Sequence, residues 1–119
     1  MTAPHFSSRE VAHAAGIPYA TLMRWLKTGV LRRRGPKGGA GLLWSERDLQ
    51  EARIAAGVRD YISRAEGPFI EVMRAVQSLR ELPQDPALRL DSIGRPEIVE
   101  YDPASDDLRL FASLDVRRE

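Results

Sequence analysis

Residues 17–29 constrain the fold more than any other stretch, because they carry two faces at helical spacing between a proline and a glycine. The spacing i, i+3, i+4, i+7 of one helical stripe is occupied by Leu22, Trp25, Leu26 and Gly29. A second set lies two residues earlier in the chain, about 200° around the helix, and consists of Ala20, Met23, Arg24 and Lys27. The pattern predicts a helix of about ten residues with one buried apolar face and one outward, short-chained or cationic face.

Residues that start and stop helices mark both ends of this segment. Pro18 suits a first helical turn, where its missing N–H would have no partner. Gly29 suits the left-handed position just past a helix C-terminus. An ordinary amphipathic surface helix would show the same features, so the flanking segments decide what the helix is for.

The preceding residues predict a second short helix and a tight connection. After a short lead over residues 1–6, Ser7 and Glu10 match a capping box, and Phe6 stands where a hydrophobic staple residue would sit. The helix is expected to end at Gly16, which leaves a connection of about three residues. Two short helices joined by a tight glycine-containing turn are typical of a helix-turn-helix.

The next segment predicts a β-hairpin with a flexible basic tip. Strand candidates at residues 30–34 and 42–44 flank residues 35–41, which hold four glycines and a proline and are therefore expected to form a loop. The three consecutive arginines either contact phosphate or form a solvated edge that blocks sheet pairing. Beside a helix-turn-helix we favour phosphate contact, by Arg32, Arg33, Arg34 and Lys37.

Two further helices are predicted after the hairpin. Ser45 is expected to cap a helix with acids in its first turn, and Gly57 to kink or break it. Pro68 is expected to open a fourth helix that ends near Leu82. Its apolar stripe is too wide for a solvated helix and must pack on the first half of the chain, on the last third or on a second subunit. The stripe consists of Phe69, Val72, Met73, Val76 and Leu79.

From residue 87 onward the hydrophobic period changes to that of strands. Leu88 and Leu90 alternate with polar residues, and two further strand candidates flank the turn cluster at residues 102–107. The predicted fold class is therefore α+β, mainly α: a winged helix-turn-helix in residues 1–62, followed in residues 63–119 by a helix and a small antiparallel β-hairpin or sheet.

The net charge of +1 hides an asymmetry along the chain. Residues 1–47 hold eight Lys and Arg against two acids, whereas residues 48–119 hold ten Lys and Arg against fifteen Asp and Glu. A basic first part followed by an acidic remainder predicts a polyanionic partner for the first part.

Three sequence blocks up to residue 60 resemble the MerR-type winged helix-turn-helix, and within it the short excisionase and BldC-like branch. They are F-S-S-R-E-V-A-H-A-A-G-I-P at the first helix, T-L-M-R-W-L-K-T-G-V-L at the second and W-S-E-R-D-L at the third. The resemblance implies that the second helix enters the major groove of double-stranded DNA and that the wing touches the flanking backbone. The DNA-binding residues are then expected to be Ser8, Tyr19, Ala20, Thr21, Met23, Arg24, Lys27, Arg32, Arg33, Arg34 and Lys37.

The sequence carries few signs of other chemistry. It has no cysteine, its two histidines lack a partner at metal-ligand spacing, and the glycine-rich loop lacks the P-loop pattern. We therefore expect no metal, no cofactor and no enzymatic activity. Without an N-terminal signal pattern or an apolar run of membrane-spanning length, we expect a cytoplasmic protein.

Two functions of different classes follow from these features. The first is a sequence-specific DNA-binding transcriptional regulator, expected to be a homodimer that joins through Phe69, Val72, Met73, Val76 and Leu79. The second is a protein-interaction module, such as an antitoxin, an adaptor or an excisionase-like assembly factor, that binds a protein partner through acidic residues 63–119. The combination of a winged head and a β-rich tail also looks somewhat like small antitoxin-like proteins.

Overall fold

The computed structural model describes residues 5–35, 37–38, 41–62 and 69–114. Within these ranges, four helices and two small antiparallel sheets form an α+β fold, which confirms the fold class at this level. In chain order the elements are β1 His5–Ser7, α1 Ser8–Ala15, α2 Tyr19–Thr28, β2 Lys37–Gly38, β3 Gly41–Ser45, α3 Glu46–Ile62, α4 Phe69–Ser78, β4 Ala87–Leu90, β5 Pro96–Asp102 and β6 Asp107–Ser113.

The ends of α1 and α2 follow from local hydrogen bonding. The Ser7 hydroxyl accepts from the Glu10 amide at 3.1 Å, and the Ser7 amide donates to the Glu10 carboxylate at 2.9 Å, which confirms the capping box. Gly16 and Gly29 both close their helices with a positive φ, of 70° and 86°. Pro18 is the N-cap of α2 rather than a residue of its first turn, because its ψ of 145° is extended.

The first sheet has the strand order β1-β3-β2 and differs from the prediction in two places. Phe6 lies opposite Trp44, so the end of the expected lead is a strand. The strand expected at residues 30–34 is not formed; Val30 and Leu31 instead pack side by side into the core. The first strand of the hairpin is instead β2, which pairs with the start of β3.

Helix α3 begins with a reciprocal cap and then continues without a break. The Ser45 hydroxyl accepts from the Asp48 amide at 3.1 Å, and the Asp48 carboxylate accepts from the Ser45 amide at 2.9 Å. The break predicted at Gly57 is wrong, since α3 runs through this residue. Gly57 instead allows the second sheet to approach: a Cβ at this position would lie 3.3 Å from the Leu88 Cβ.

Helix α4 packs against the first half of the chain, and this overturns the predicted dimer interface. Its stripe residues Val72, Met73 and Val76 are buried within one chain. Phe69 and Leu79 are half-buried against the same core, with the Phe69 ring beside Trp25 of α2. Val72, Met73 and Val76 are therefore inaccessible to a second subunit, and Phe69 and Leu79 are accessible only in part. The helix also ends earlier than predicted, at Ser78.

The second sheet, with the order β4-β5-β6, confirms the antiparallel strands expected near the C-terminus. One continuous core joins this sheet to the helices, since Val11, Ile54, Met73 and Ile98 belong to the same cluster of buried residues. The core thus crosses the boundary predicted between residues 62 and 63. The two regions pack as one unit and share the buried surface that holds them folded.

Candidate nucleic-acid interface

The outward face of α2 is held in position because the opposite face of the helix is buried in the core. Leu22 is fully buried and Trp25 is 7% exposed, whereas Ala20, Arg24 and Lys27 are exposed and Met23 is half-buried. Of the predicted inner face, Leu22 and Trp25 are confirmed as buried, while Leu26 is half-buried and Gly29 is exposed. Because the inner side chains are fixed in a close-packed core, the position and rotation of the outward residues are fixed as well.

Three cations near this face have no acidic partner among the described residues. Arg24, Lys27 and Arg32 are exposed, and the ion pairs found within residues 5–35, 41–62 and 69–114 involve other cations. A positive charge that no neighbouring carboxylate offsets is available to an external anion. This distinction between paired and unpaired cations could not be made from the sequence.

A fourth cation, Arg9, was not among the predicted site residues. Its guanidinium lies over the Tyr19 ring, 4.8 Å from the ring centroid, in a cation–π contact. The contact brings an exposed arginine of α1 to the start of α2, next to a Tyr19 that is itself 42% exposed. Arg9 lies in the first turn of α1 and Tyr19 in the first turn of α2. These positions in the sequence do not by themselves predict a contact.

Two of the three consecutive arginines bind to the chain itself. The Arg33 guanidinium donates to the carbonyl of Leu43 at 2.9 Å and to that of Gly35, and so ties the two sides of the hairpin together. The Arg34 guanidinium lies 2.7 Å from the Glu51 carboxylate. The prediction that all three contact phosphate therefore needs correction: Arg32 remains exposed, while Arg33 and Arg34 have partners within the fold.

Asp48 connects both ends of the hairpin to α3, a role that sequence reasoning missed. Its Oδ2 accepts from the backbone amides of Arg34, Gly35 and Ser45, at 2.8, 3.0 and 2.9 Å, and the residue is 1% exposed. Gly35 is required by the same close packing, because a Cβ there would lie 2.2 Å from the Leu43 carbonyl oxygen. The hairpin is thereby held in one position relative to α3.

Glu51 is a second buried carboxylate at this junction. Its Oε2 accepts from Arg34 and Arg47. Arg47 in turn donates to the carbonyl of Val76 in the last turn of α4, at 3.0 Å, and to that of Leu79 just beyond the helix, at 2.8 Å. Burial raises the pKa of Glu51, and the positive charges of Arg34 and Arg47 oppose the rise. The network links the hairpin, α3 and α4.

The remaining predicted site residues divide into three cases. Thr21 is 7% exposed, so its side chain is not accessible for the DNA contact predicted from the sequence. The Ser8 hydroxyl oxygen accepts from the Trp44 indole N–H at 2.8 Å and is half-buried, which gives it a structural role. The Lys37 side chain lies outside the described part of the structure, although its backbone pairs with Leu42.

Other kinds of site find little support in the described part of the chain. No group of three or more His, Cys, Asp or Glu residues there is arranged to hold a metal ion. None of the described helices is both long enough and apolar enough to cross a lipid bilayer. Comparison of the chain with protein-family models, curated proteins and solved structures found no match.

Proposed function

We propose that this protein is a sequence-specific DNA-binding regulator of transcription, with α1, the tight turn and α2 acting as a helix-turn-helix. One observation carries the proposal: α2 presents exposed Arg24 and Lys27, without a described acidic partner, from a helix whose opposite face is fixed in the core. A helix of this kind can enter the major groove of B-DNA, which is wide enough to admit it.

The proposed roles follow from the chemistry of each cation. Arg24 is proposed to read a base edge, because a guanidinium can donate two parallel hydrogen bonds to guanine. Lys27, one turn further along α2, and Arg32, beyond the end of α2, are proposed to bind phosphates. Arg9 is a further candidate for backbone contact at the start of α2. Phosphate contacts fix the register on the duplex and carry most of the salt dependence.

The hairpin formed by β2 and β3 is proposed to act as the wing. Its position after α2 and before α3 agrees with the order of elements in a MerR-type head. The backbone amides of Arg34, Gly35 and Ser45 donate to Asp48 and so hold the base of the hairpin against α3, which would present the hairpin to the DNA backbone beside α2. Arg33 and Arg34 support this arrangement from within the fold.

A single head of this size offers few base contacts, so two copies on two half-sites are proposed for the bound state. The experiment that tests the function is a selection of bound duplexes from random DNA by the full chain, followed by a salt titration on the enriched sequence. The full chain is necessary, because α4 covers Trp25 and a truncated head would expose it. An enriched motif with salt-sensitive binding supports the proposal. Absence of enrichment contradicts it and favours the protein-interaction alternative.

A further inference from the structure

A cleft opens between three segments of the chain that lie far apart in the sequence. It has a volume of about 390 Å³. One wall comes from Arg34, before the hairpin, and another from the first turns of α3, which contribute Arg47 and Gln50. The third wall is formed by residues 79–82, directly after α4. A cleft of this volume falls within the range for sites that hold small molecules, roughly 300–1,000 Å³.

Positive charge exceeds negative charge around this cleft. Its lining contains three arginines, Arg34, Arg47 and Arg80, and one acid, Glu81. Glu51 adds a second negative charge, because its carboxylate accepts hydrogen bonds from two of these arginines. The balance is three positive charges against two negative ones. One positive charge therefore remains for a bound anion.

The three arginines keep hydrogen-bond donors that the described part of the fold does not use. Arg34 donates to Glu51 through Nη1, which leaves its Nε and Nη2. Arg47 donates through Nε and Nη2, which leaves its Nη1. The Arg80 side chain makes no hydrogen bond or ion pair to a described residue. Guanidinium N–H groups match the oxygens of a carboxylate or a phosphate, so all three walls can donate to one such group.

Arg47 is held in position by the fold itself. Its side chain is 19% exposed, and Nε lies 3.3 Å from the Glu51 carboxylate. Its Nη2 donates to the carbonyls of Val76 and Leu79, at 3.0 and 2.8 Å. A side chain that is already ordered loses little conformational entropy when a ligand binds. The cleft is therefore partly pre-organised for an anion.

The cleft also has an apolar wall. Leu79 and Leu82 are half-buried against the main core, and both line the cleft. Gln50 adds an amide that can donate as well as accept a hydrogen bond. Small-molecule sites combine apolar lining with a few polar groups that fix the orientation of the ligand. A bare inorganic ion would satisfy the arginines and leave the two leucines uncovered.

We propose that this cleft binds a small organic anion. Its carboxylate or phosphate group is held by the guanidinium groups of Arg34, Arg47 and Arg80, and its apolar part lies against Leu79 and Leu82. Carboxylate and phosphate share the paired oxygens that a guanidinium binds. No residue of α2 lines the cleft. The inference therefore does not rest on the proposed binding of DNA, and either proposal can fail without the other.

Titration of the isotope-labelled full chain, followed by NMR at constant ionic strength, tests the inference. The probes are phenyl phosphate, benzoate and inorganic phosphate. We expect saturable shifts of the Nε–H signals of Arg34, Arg47 and Arg80 with at least one of the two organic anions, with a dissociation constant in the millimolar range or below. The comparison of phenyl phosphate with benzoate shows which charged group the cleft prefers. Inorganic phosphate should bind more weakly than the preferred organic anion, because it has no apolar part to cover the leucines.

Three variants test the role of the charges. Arg80→Ala should raise the dissociation constant roughly tenfold, since it removes a charged donor, and it should leave the fold intact because Arg80 is exposed and binds no described group. Glu81→Gln should lower the dissociation constant, because it removes a negative charge from the lining. Arg74→Ala is the matched control, since Arg74 is an exposed arginine of α4 outside the cleft. Melting temperatures verify that each variant is folded.

Four results would overturn the inference. The first is the absence of saturable binding by both organic anions at millimolar concentration. The second is a folded Arg80→Ala variant that binds the preferred anion as tightly as the wild type does. The third is inorganic phosphate that binds as tightly as that anion, which would remove the apolar part from the proposal. The fourth is displacement of the bound anion by duplex DNA, which would assign the cleft to the phosphates of the DNA backbone.

Discussion

The ring of Trp25 in α2 lies 5.4 Å from the ring of Phe69 in α4, measured between centroids, with the planes tilted by 42°. The contact ties the proposed recognition helix to a helix that follows it by more than forty residues in the sequence. It explains why the stripe of α4 is buried inside one chain. It also gives Trp25 a role in support of α2, with no part in contact to DNA.

Trp25→Ala is therefore expected to lower the free energy of unfolding by roughly 3–5 kcal/mol. The decrease combines removal of a buried indole with removal of its packing against Phe69. A double-mutant cycle with Phe69→Ala should give a coupling of about 0.5–1.5 kcal/mol, the range for an aromatic pair. Urea titrations of the four proteins measure both quantities. Additive effects would show that the rings do not interact in solution.

The sequence predicted the helices that have strong local signals. The capping box at Ser7 and the glycine at position 29 mark α1 and α2 because helix ends depend on neighbouring residues alone. The apolar stripe of α4 was identified, but its partner was not. Periodicity shows that a face must be buried and carries no information about which surface covers it, and Trp25 could not be recognised as that surface.

Asp48→Ala is expected to destabilise the fold by roughly 3 kcal/mol, because three backbone amides lose a charged acceptor in a buried place. Asp48→Asn keeps one acceptor oxygen and should cost less. Asp85→Ala is the control: its carboxylate is 88% exposed and meets Arg53 at 3.4 Å, so a change within about 0.5 kcal/mol is expected. Equal destabilisation by Asp48→Ala and Asp85→Ala would refute the role assigned to Asp48.

The raised pKa of Glu51 predicts that the stability of the fold depends on pH, and the sign of the dependence follows from the burial of the carboxyl group. Since the folded-state pKa is raised above the ordinary value of 4.5, the folded chain binds more protons than the unfolded chain between those two pKa values. The stability that Glu51 contributes therefore increases as the pH falls through the folded-state pKa, and it levels off below the unfolded value.

Glu51→Gln removes this titration. Compared with the variant, the wild type should gain stability as the pH is lowered from neutral towards 4.5. Unfolding by urea at a series of pH values measures the difference between the two proteins. A difference that stays constant across the series would show that Glu51 has the same pKa in both states.

The candidate site was only partly predictable, because local patterns do not show which side chains find partners across the fold. Arg32, Arg33 and Arg34 are adjacent and chemically identical in the sequence. In the structure their roles differ, because Arg33 binds Leu43, ten residues away, and Arg34 binds Glu51, seventeen residues away. Asp48 looked like an ordinary first-turn acid, and the three amides that it binds come together only after the hairpin has formed.

Arg32→Ala should flatten the salt dependence of DNA binding without destabilising the fold. Removal of one phosphate-binding cation reduces the slope of log K against log salt on duplex DNA by about 0.9. Arg33→Ala should instead lower the melting temperature, because it removes the bond to the Leu43 carbonyl inside the hairpin. Binding titrations at several salt concentrations test the pair. An unchanged slope for folded Arg32→Ala would show that Arg32 does not meet the backbone.

The central claim, that α2 reads DNA, is tested most directly by the affinity of Arg24→Ala for the sequence selected by the wild type. Arg74→Ala, an exposed arginine on α4, is the matched control. If Arg24 contacts a base, its removal should weaken specific binding by roughly 1–3 kcal/mol and relax the preference at one position of the site, while Arg74→Ala binds as the wild type does. A folded Arg24→Ala variant that binds the selected sequence as tightly and as selectively as the wild type would contradict the claim.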